Sequence, residues 1–360
     1  MKKFSYQEIL KDYILKKRLA KKEKDPSKSL AYENSANWNR YILDLVTPHV
    51  RKIQEHDEVL DGDISFTHAF GDYAPYVRDL AQSEYIEKEE TKPQYLYTNI
   101  GKLLMNTRRL YEAIKKEYHY NVYSVMADNE SLLRVKRGRK DKYSGEVVPL
   151  ENRKSFLLNV TLNGTLQDYL TFIHEFSHIN SILINEEHDT YSKTCLYEAD
   201  ALLMEMIALD DFNDPMGAES IDYSIDIFND YVYSAKIATA KMDLLASFNR
   251  DELRNKPVIV NYLENAGYDK DALKDILYTD IDYFFKYSFA YLVAIELSFK
   301  YKENKEEAIN VLDSIIKMRD KTAREYLSEL NNLGIVLGQH VNEYKDMLVE
   351  RYEHGKGIQH

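Results

Sequence analysis

Apolar positions recur mostly three and four residues apart along the 360-residue chain, the period of amphipathic helices. The spacing predicts a first helix over 5–20, ended by Asp25-Pro26-Ser27-Lys28-Ser29. A longer one follows through Trp38, Tyr41, Ile42, Leu45 and Val46, which Pro48 ends or kinks. Residues 60–73 read as a loop. A further helix is predicted over 94–118, with Leu96, Ile100, Leu103, Leu104, Leu110 and Ile114 as its apolar set.

The pattern changes between about 120 and 162. Short runs rich in Val, Tyr, Leu and Phe predict strands at Val122–Met126, Leu132–Val135, Glu146–Pro149 and Phe156–Leu162. Arg137 to Asp141 and Glu151-Asn152-Arg153 are the expected turns. After Asn163-Gly164 the helical period resumes, with Thr165 or its loop as the cap. Helices are expected over 166–185, 191–209, 218–248, 270–302, 304–317, 320–331 and 339–352, and Glu353 to His360 reads as a frayed tail. The fold class expected is mainly α with a small β-sheet beside the helix at 166–185. An N-terminal helical part (1–120) and a catalytic part (121–360) are expected to form one continuous body.

Composition narrows the function classes. The net charge of −12 disfavours nucleic acid, whose binding domains are usually basic. One basic cluster, Lys16, Lys17, Arg18, Lys21, Lys22 and Lys24, reads as a solvated helix end. Nowhere do ~18 apolar residues run together, so no membrane span is expected. Cys195 is alone, which rules out an intrachain disulfide framework. The polar start, Met-Lys-Lys-Phe-Ser-Tyr-Gln-Glu, carries no apolar signal-type stretch, so a cytoplasmic setting is expected. The 30 tyrosines outnumber the 13 phenylalanines. Most are read as amphipathic packing residues, with a few left to line a polar groove.

Candidate chemistry lies at 171–180, Thr-Phe-Ile-His-Glu-Phe-Ser-His-Ile-Asn. His174 and His178 are four apart, so they share one helical face and two imidazoles can reach one cation. Glu175 stands at the edge of that face, where it can deprotonate a water on the cation. Two imidazoles suit zinc, and a catalytic zinc takes three protein ligands and keeps one position open. A third His ten residues after His174 would stand at Ile184, and Ser181 occupies the Gly position of that arrangement, so that class is rejected. Glu186, Glu187, His188 and Asp189 fall in a loop. Glu198 lies among Leu196, Leu202, Leu203, Met206 and Ile207 in the next helix. An antiparallel helix pair would return it to the imidazoles, and a glutamate facing inward needs such a partner. The thermolysin-type pattern around the third ligand is absent, because Tyr197 and Leu202 stand at its Asn and Asp positions.

The stretch from Phe156 to His178 resembles the oligopeptidase F and thimet oligopeptidase family in its Leu-Asn strand, Gly-Thr, Asp and His-Glu-x-x-His. Glu198-Ala-Asp-Ala-Leu-Leu-Met-Glu205 is similar to that family's second helix, and Asp282 to Ala290 resembles its Tyr-rich segment. The resemblance implies a helical zincin-type fold and one Zn2+ on His174, His178 and Glu198. It implies a peptide substrate, Glu175 as base, and Tyr283 or Tyr287 near the substrate carbonyl. Ser177 replaces the family's Gly, the spacing to Glu198 is shorter, and Ala290 stands where a Gly is usual. The chain is shorter than typical members, which implies a more open channel.

Asp168 is a candidate to orient a ligand imidazole or to serve as a helix-start acid, and Glu205 a candidate to orient His178 or a backbone group or to form a salt bridge. His188 and Tyr191 could touch substrate or lie at the surface. The strand Phe156–Leu162, through Leu158 and Asn159, is expected to offer an edge for an extended peptide. Two other readings stay open: a protease dedicated to one protein target, and a non-catalytic helical binding protein with a residual metal site.

Overall fold

The computed structural model describes residues 15–24, 28–29, 32, 35–36, 63–64, 66–67, 70–89, 100–127, 132–137, 144–149, 156–184, 191–211, 217–318 and 321–358. The expected helix through Trp38 to Val46 and the candidate His188 lie outside them.

A helix that is apolar on every side must be surrounded, and two such helices dominate the chain. Helix α4 (Leu166–Ile184) buries Leu166, Leu170, Phe172, Ile173, Phe176 and Ile179. Helix α10 (Ile281–Glu303) is buried without a break from Ser288 to Ser298. Between them lies α5 (Tyr191–Asp211), packed against both. Helix α6 (Gly217–Ser247) covers α10 and carries α1 (Ala74–Ala81) on another side. Helices α2 (Ile100–Ile114) and α3 (Lys116–Ala127) pack on α4. The remaining helices are α7 (Arg250–Arg254), α8 (Lys256–Asn265), α9 (Lys270–Tyr278), α11 (Lys305–Ile316), α12 (Ala323–Asn332) and α13 (Val341–Ile358). One buried cluster runs from Tyr73 to Leu348 through these elements. No described helix is long and apolar enough to cross a membrane.

Among the described residues, β1 (Leu132–Arg137), β2 (Ser144–Pro149) and β3 (Phe156–Leu162) form one sheet in the order β1-β3-β2. The central strand β3 is parallel to β1 and antiparallel to β2. Phe156, Leu158 and Val160 of β3 join the core, as the period of two requires. Opposite them, Val147 pairs with Leu158 and Gly145 with Val160, so β2 turns its odd residues toward α4.

Several sequence expectations are corrected. Val122–Met126 is the end of helix α3, not a strand. Its β-branched and aromatic residues suit either state, and the preceding helical turns decide it. Where 60–70 is described it is helical, and Gly71–Tyr73 is a 3-10 turn. The expected helix over 270–302 is two, split at Thr279-Asp280. The split has a partner far along the chain, since the Ile281 N–H donates to Asp63 Oδ1 at 2.7 Å while Lys241 pairs with the other oxygen. A remote carboxylate thus satisfies an orphan donor of the new helix start. Helices α7 and α8 fill the unassigned gap after 248; Asn249 closes a capping box with Glu252 at the start of α7, and Pro257 stands in the first turn of α8. The last helix runs on to Ile358 rather than fraying from Glu353.

Candidate metal centre

Strand β3 passes into α4 through Asn163-Gly164-Thr165. Gly164 takes φ 91°, a conformation that favours glycine. Asp168, fully buried, accepts from the Asn163 N–H at 2.9 Å and the Gly164 N–H at 2.6 Å. It therefore fixes the turn that aims the helix, rather than reaching an imidazole. Thr165 does not cap with its hydroxyl, which has no hydrogen-bond partner.

On α4 the His174 and His178 rings lie edge to face, with centroids 4.7 Å apart. Glu198 of α5 turns Oε2 toward both: 3.3 Å from His174 Nε2 and 3.6 Å from His178 Nε2. One ligand atom from each of the three lies within 4.8 Å of the others. That buried Oε2 has no hydrogen-bond partner. A buried carboxylate oxygen left so is costly, and a cation among the three atoms would satisfy it. Glu205, seven residues on, accepts from His174 Nδ1 at 2.6 Å. It orients His174, not His178. With that proton placed on Nδ1, Nε2 keeps its lone pair for a cation. The donor set fits a divalent metal of the zinc class.

The electrostatics follow from burial around these groups. Burial opposes a charge on His174, but Glu198 and Glu205 outweigh it and hold its pKa well above the ordinary value. Burial, with His174 and Lys286 adding to it, pushes His178 down to about 4 despite Glu198. Burial alone would raise Glu198, yet His178, His174 and Lys286 hold it well below the usual carboxylate range. Glu175 is pushed up to about 7, chiefly by burial, with Glu198, Glu146 and Glu205 adding and His174 opposing. A carboxylate with that affinity for a proton is suited to a base near neutral pH.

The edge strand presses on Glu175. A Cβ on Gly145 would come within 2.5 Å of Glu175 Oε1 and 2.6 Å of Thr171 Cγ2. Only a bare backbone passes that closely. The sheet order also corrects the expected peptide edge. Phe156–Leu162 is central and paired on both sides, Leu158 is core, and Asn159 sits half-buried opposite Glu146. The strand beside Glu175 with one side unpaired in this sheet is β2.

Behind the histidines, Ser177 is fully buried, with its hydroxyl 3.0 Å from the Ile173 carbonyl and 2.6 Å from Tyr111 Oη. The Ser thereby ties α2 to α4. Asp200 accepts from Ser181 at 2.6 Å, and burial, with the Asp313 charge adding to it, pushes it up to about 7. Asp313 itself takes Tyr118 at 2.5 Å and Lys115.

A cavity of about 620 Å³ opens over His174 and Glu175, walled by Gly145, Glu205, α6, α9 and α10. Tyr283 and Tyr287 both line it. Tyr283 is 53% exposed. Burial, then the Glu198 charge, holds Tyr287 well above the ordinary phenol range, so it stays a donor. Tyr191 opens α5, and its side chain lies outside the described residues.

Sequence reasoning missed Tyr231, Asp230, Asp275 and Lys286. Tyr231 lines the cavity and stacks between Tyr287, at 6.3 Å, and Tyr291, at 4.4 Å. A signal existed, since Tyr223, Ile227, Asp230, Tyr231 and Ser234 share one face of α6 and mix polar with aromatic character. Lys286 donates to Glu198 Oε1 at 2.9 Å, and nothing in its local sequence marks it.

No family model matches the chain, and no curated protein is similar to it in sequence. Solved structures are similar in fold. One, assigned as an oligoendopeptidase F, matches at TM-score 0.55 and 13% identity over 90% of this chain and 68% of its own. An oligoendopeptidase F from Bacillus anthracis str. Ames gives 0.52 and 14% over 95% and 61%. PZ peptidase A with an inhibitor gives 0.52 and 12% over 97% and 69%. The chain thus spans between 61% and 69% of these structures. The fold is of the helical, oligopeptidase F-like type, at low sequence identity.

Proposed function

We propose that this chain is a metal-dependent peptidase, with zinc held by His174, His178 and Glu198 and with peptides as substrates. The observation that carries the reading is the orphaned Glu198 Oε2 facing two imidazole Nε2 atoms at 3.3 and 3.6 Å. A cation between the three groups would satisfy that buried oxygen, which otherwise has no hydrogen bond. The fold likeness to solved peptidases supports it.

A zinc ion bound there supplies Lewis acidity toward a carbonyl and a water of lowered pKa. The chain's own residues do the rest. Glu205 fixes the His174 ring and tautomer. Glu175, at the cavity floor, accepts the water's proton and delivers it to the leaving amine. Tyr287, protonated, and the more exposed Tyr283 are the donors on the facing wall for the developing oxyanion. The unpaired side of β2 offers backbone groups to an extended peptide beside Glu175. The cytoplasmic setting expected from the sequence is part of the proposal.

The test is Glu175→Gln. A peptidase loses cleavage of mixed peptides by a factor on the order of 10²–10⁴ while binding one metal per chain as before. If the wild-type protein binds no divalent metal under chelator-controlled titration, the reading fails. If it binds metal and cleaves only one folded protein, the dedicated-protease reading replaces the oligopeptidase one.

A further inference from the structure

Glu198 divides its two oxygens between two environments. Oε2 faces the imidazoles. Oε1 accepts from Lys286 Nζ at 2.9 Å. Both side chains are shielded, Glu198 at 7% and Lys286 at 18% exposure. Lys286 comes from α10, one residue before Tyr287, and its ammonium also lies 4.5 Å from the centre of the Tyr287 ring. One cation thus touches a candidate ligand and a wall of the cavity.

A carboxylate with both oxygens free can swing or bind a metal through both. The Lys286 bond stops that rotation and leaves a single oxygen for the cation. It also adds a positive charge beside a site already framed by Glu175, Glu198 and Glu205. Like charges in a shielded place repel, so Lys286 opposes metal binding. In return, Glu198 donates less electron density and the metal stays a stronger Lewis acid.

We propose that Lys286 is a positioning residue that locks Glu198 into one-oxygen ligation and keeps the metal electron-poor, trading metal affinity for catalytic power. The inference rests on the metal-site reading above, and its main readout needs no catalysis. Zinc dissociation constants are measured by competition with a chromophoric chelator for wild type, Lys286→Met, Lys286→Gln and Lys286→Arg. Lys286→Met should bind zinc roughly tenfold more tightly, the sign expected on removing a neighbouring like charge. Its metal-free form should melt earlier, because a buried carboxylate loses its partner, so zinc should raise its melting temperature more than it raises that of wild type. Its kcat should fall about tenfold with KM changed less than about twofold, a loss confined to the transition state.

Lys286→Arg should restore wild-type values. Lys286→Gln, which keeps a donor to Oε1 without the charge, should follow Met in affinity. Weaker zinc binding in Lys286→Met, or wild-type affinity in Lys286→Gln, would mean a merely structural anchor and overturn the inference. If Lys286→Met fails to fold, the Gln and Arg pair alone decides. Wild-type protein that binds no zinc sinks the functional reading instead, so the two failures are distinct.

Discussion

Gly145→Ala tests the geometry of the cleft with the smallest possible change. Gly145 lies in β2 and is not among the positive-φ glycines, so alanine fits its backbone. On backbone grounds alone the substitution should stabilise by about 0.4–1 kcal/mol, through a less free unfolded chain. The structure predicts the opposite sign. The added Cβ would lie 2.5 Å from Glu175 Oε1, 2.6 Å from Thr171 Cγ2 and 2.7 Å from Glu175 Cγ. The carboxylate end can swing away, but the Thr171 methyl and the Glu175 Cγ are tied closely to α4. Either β2 shifts outward or the base leaves its position. Overpacking of this kind costs about 1–3 kcal/mol. Urea denaturation with and without metal gives the stability, and peptide hydrolysis gives kcat. Both should fall, with metal content unchanged, because no ligand is touched. Gly145→Ala/Thr171→Ser removes one of the clashing atoms. It should recover part of the stability and little of the activity, since the contact with Glu175 remains. An alanine variant that is more stable and fully active would refute the close approach of β2 to Glu175.

Other expectations follow from the same geometry. Glu205→Gln keeps an acceptor near His174 Nδ1, now at 2.6 Å from a carboxylate, but removes its charge; zinc affinity should fall roughly 10–100-fold, and an unchanged chelator competition curve would contradict the orienting role. Asp200 carries a folded pKa raised from 3.8 to about 7. The native state therefore binds an extra proton in that window, and its contribution to stability falls as pH rises from about 4 to about 7, by at most about 4 kcal/mol. Asp200→Asn should remove that loss, so its stability relative to wild type should grow across the window; a pH-independent difference in urea midpoints would argue against it. Asp230 and Asp275 line the cavity, and no Lys or Arg does so among its described residues. Peptides with Lys or Arg near the scissile bond should show higher kcat/KM than isosteric neutral ones, falling on Asp275→Asn; equal rates across a charge-varied peptide library would exclude this.

How far the chain could be read differs by residue. His174, Glu175 and His178 are legible because helical periodicity fixes their shared face whatever surrounds them. Glu198 was found through an antiparallel-helix argument, and the structure turns its oxygen to both imidazoles. Asp168 and Glu205 were both marked as candidates behind the ligands, but their partners differ from those the sequence suggested, an imidazole for Asp168 and His178 or a backbone group for Glu205. One closes a turn at Gly164, and the other holds His174 rather than His178.

What the sequence by itself determined was local: the helical stretches, three of the four expected strands, and the spacing that puts two imidazoles on one face. These depend on neighbours within a turn or two of the chain. What only tertiary structure decided was register and company. It made β3 the central strand, so that β2 borders Glu175, and it split the helix at 280 around Asp63. It also brought Lys286 and Tyr231 to the site from far along the chain. Those choices turn on contacts between residues tens to hundreds of positions apart. Their energies come from burial and charge that no short window of sequence contains.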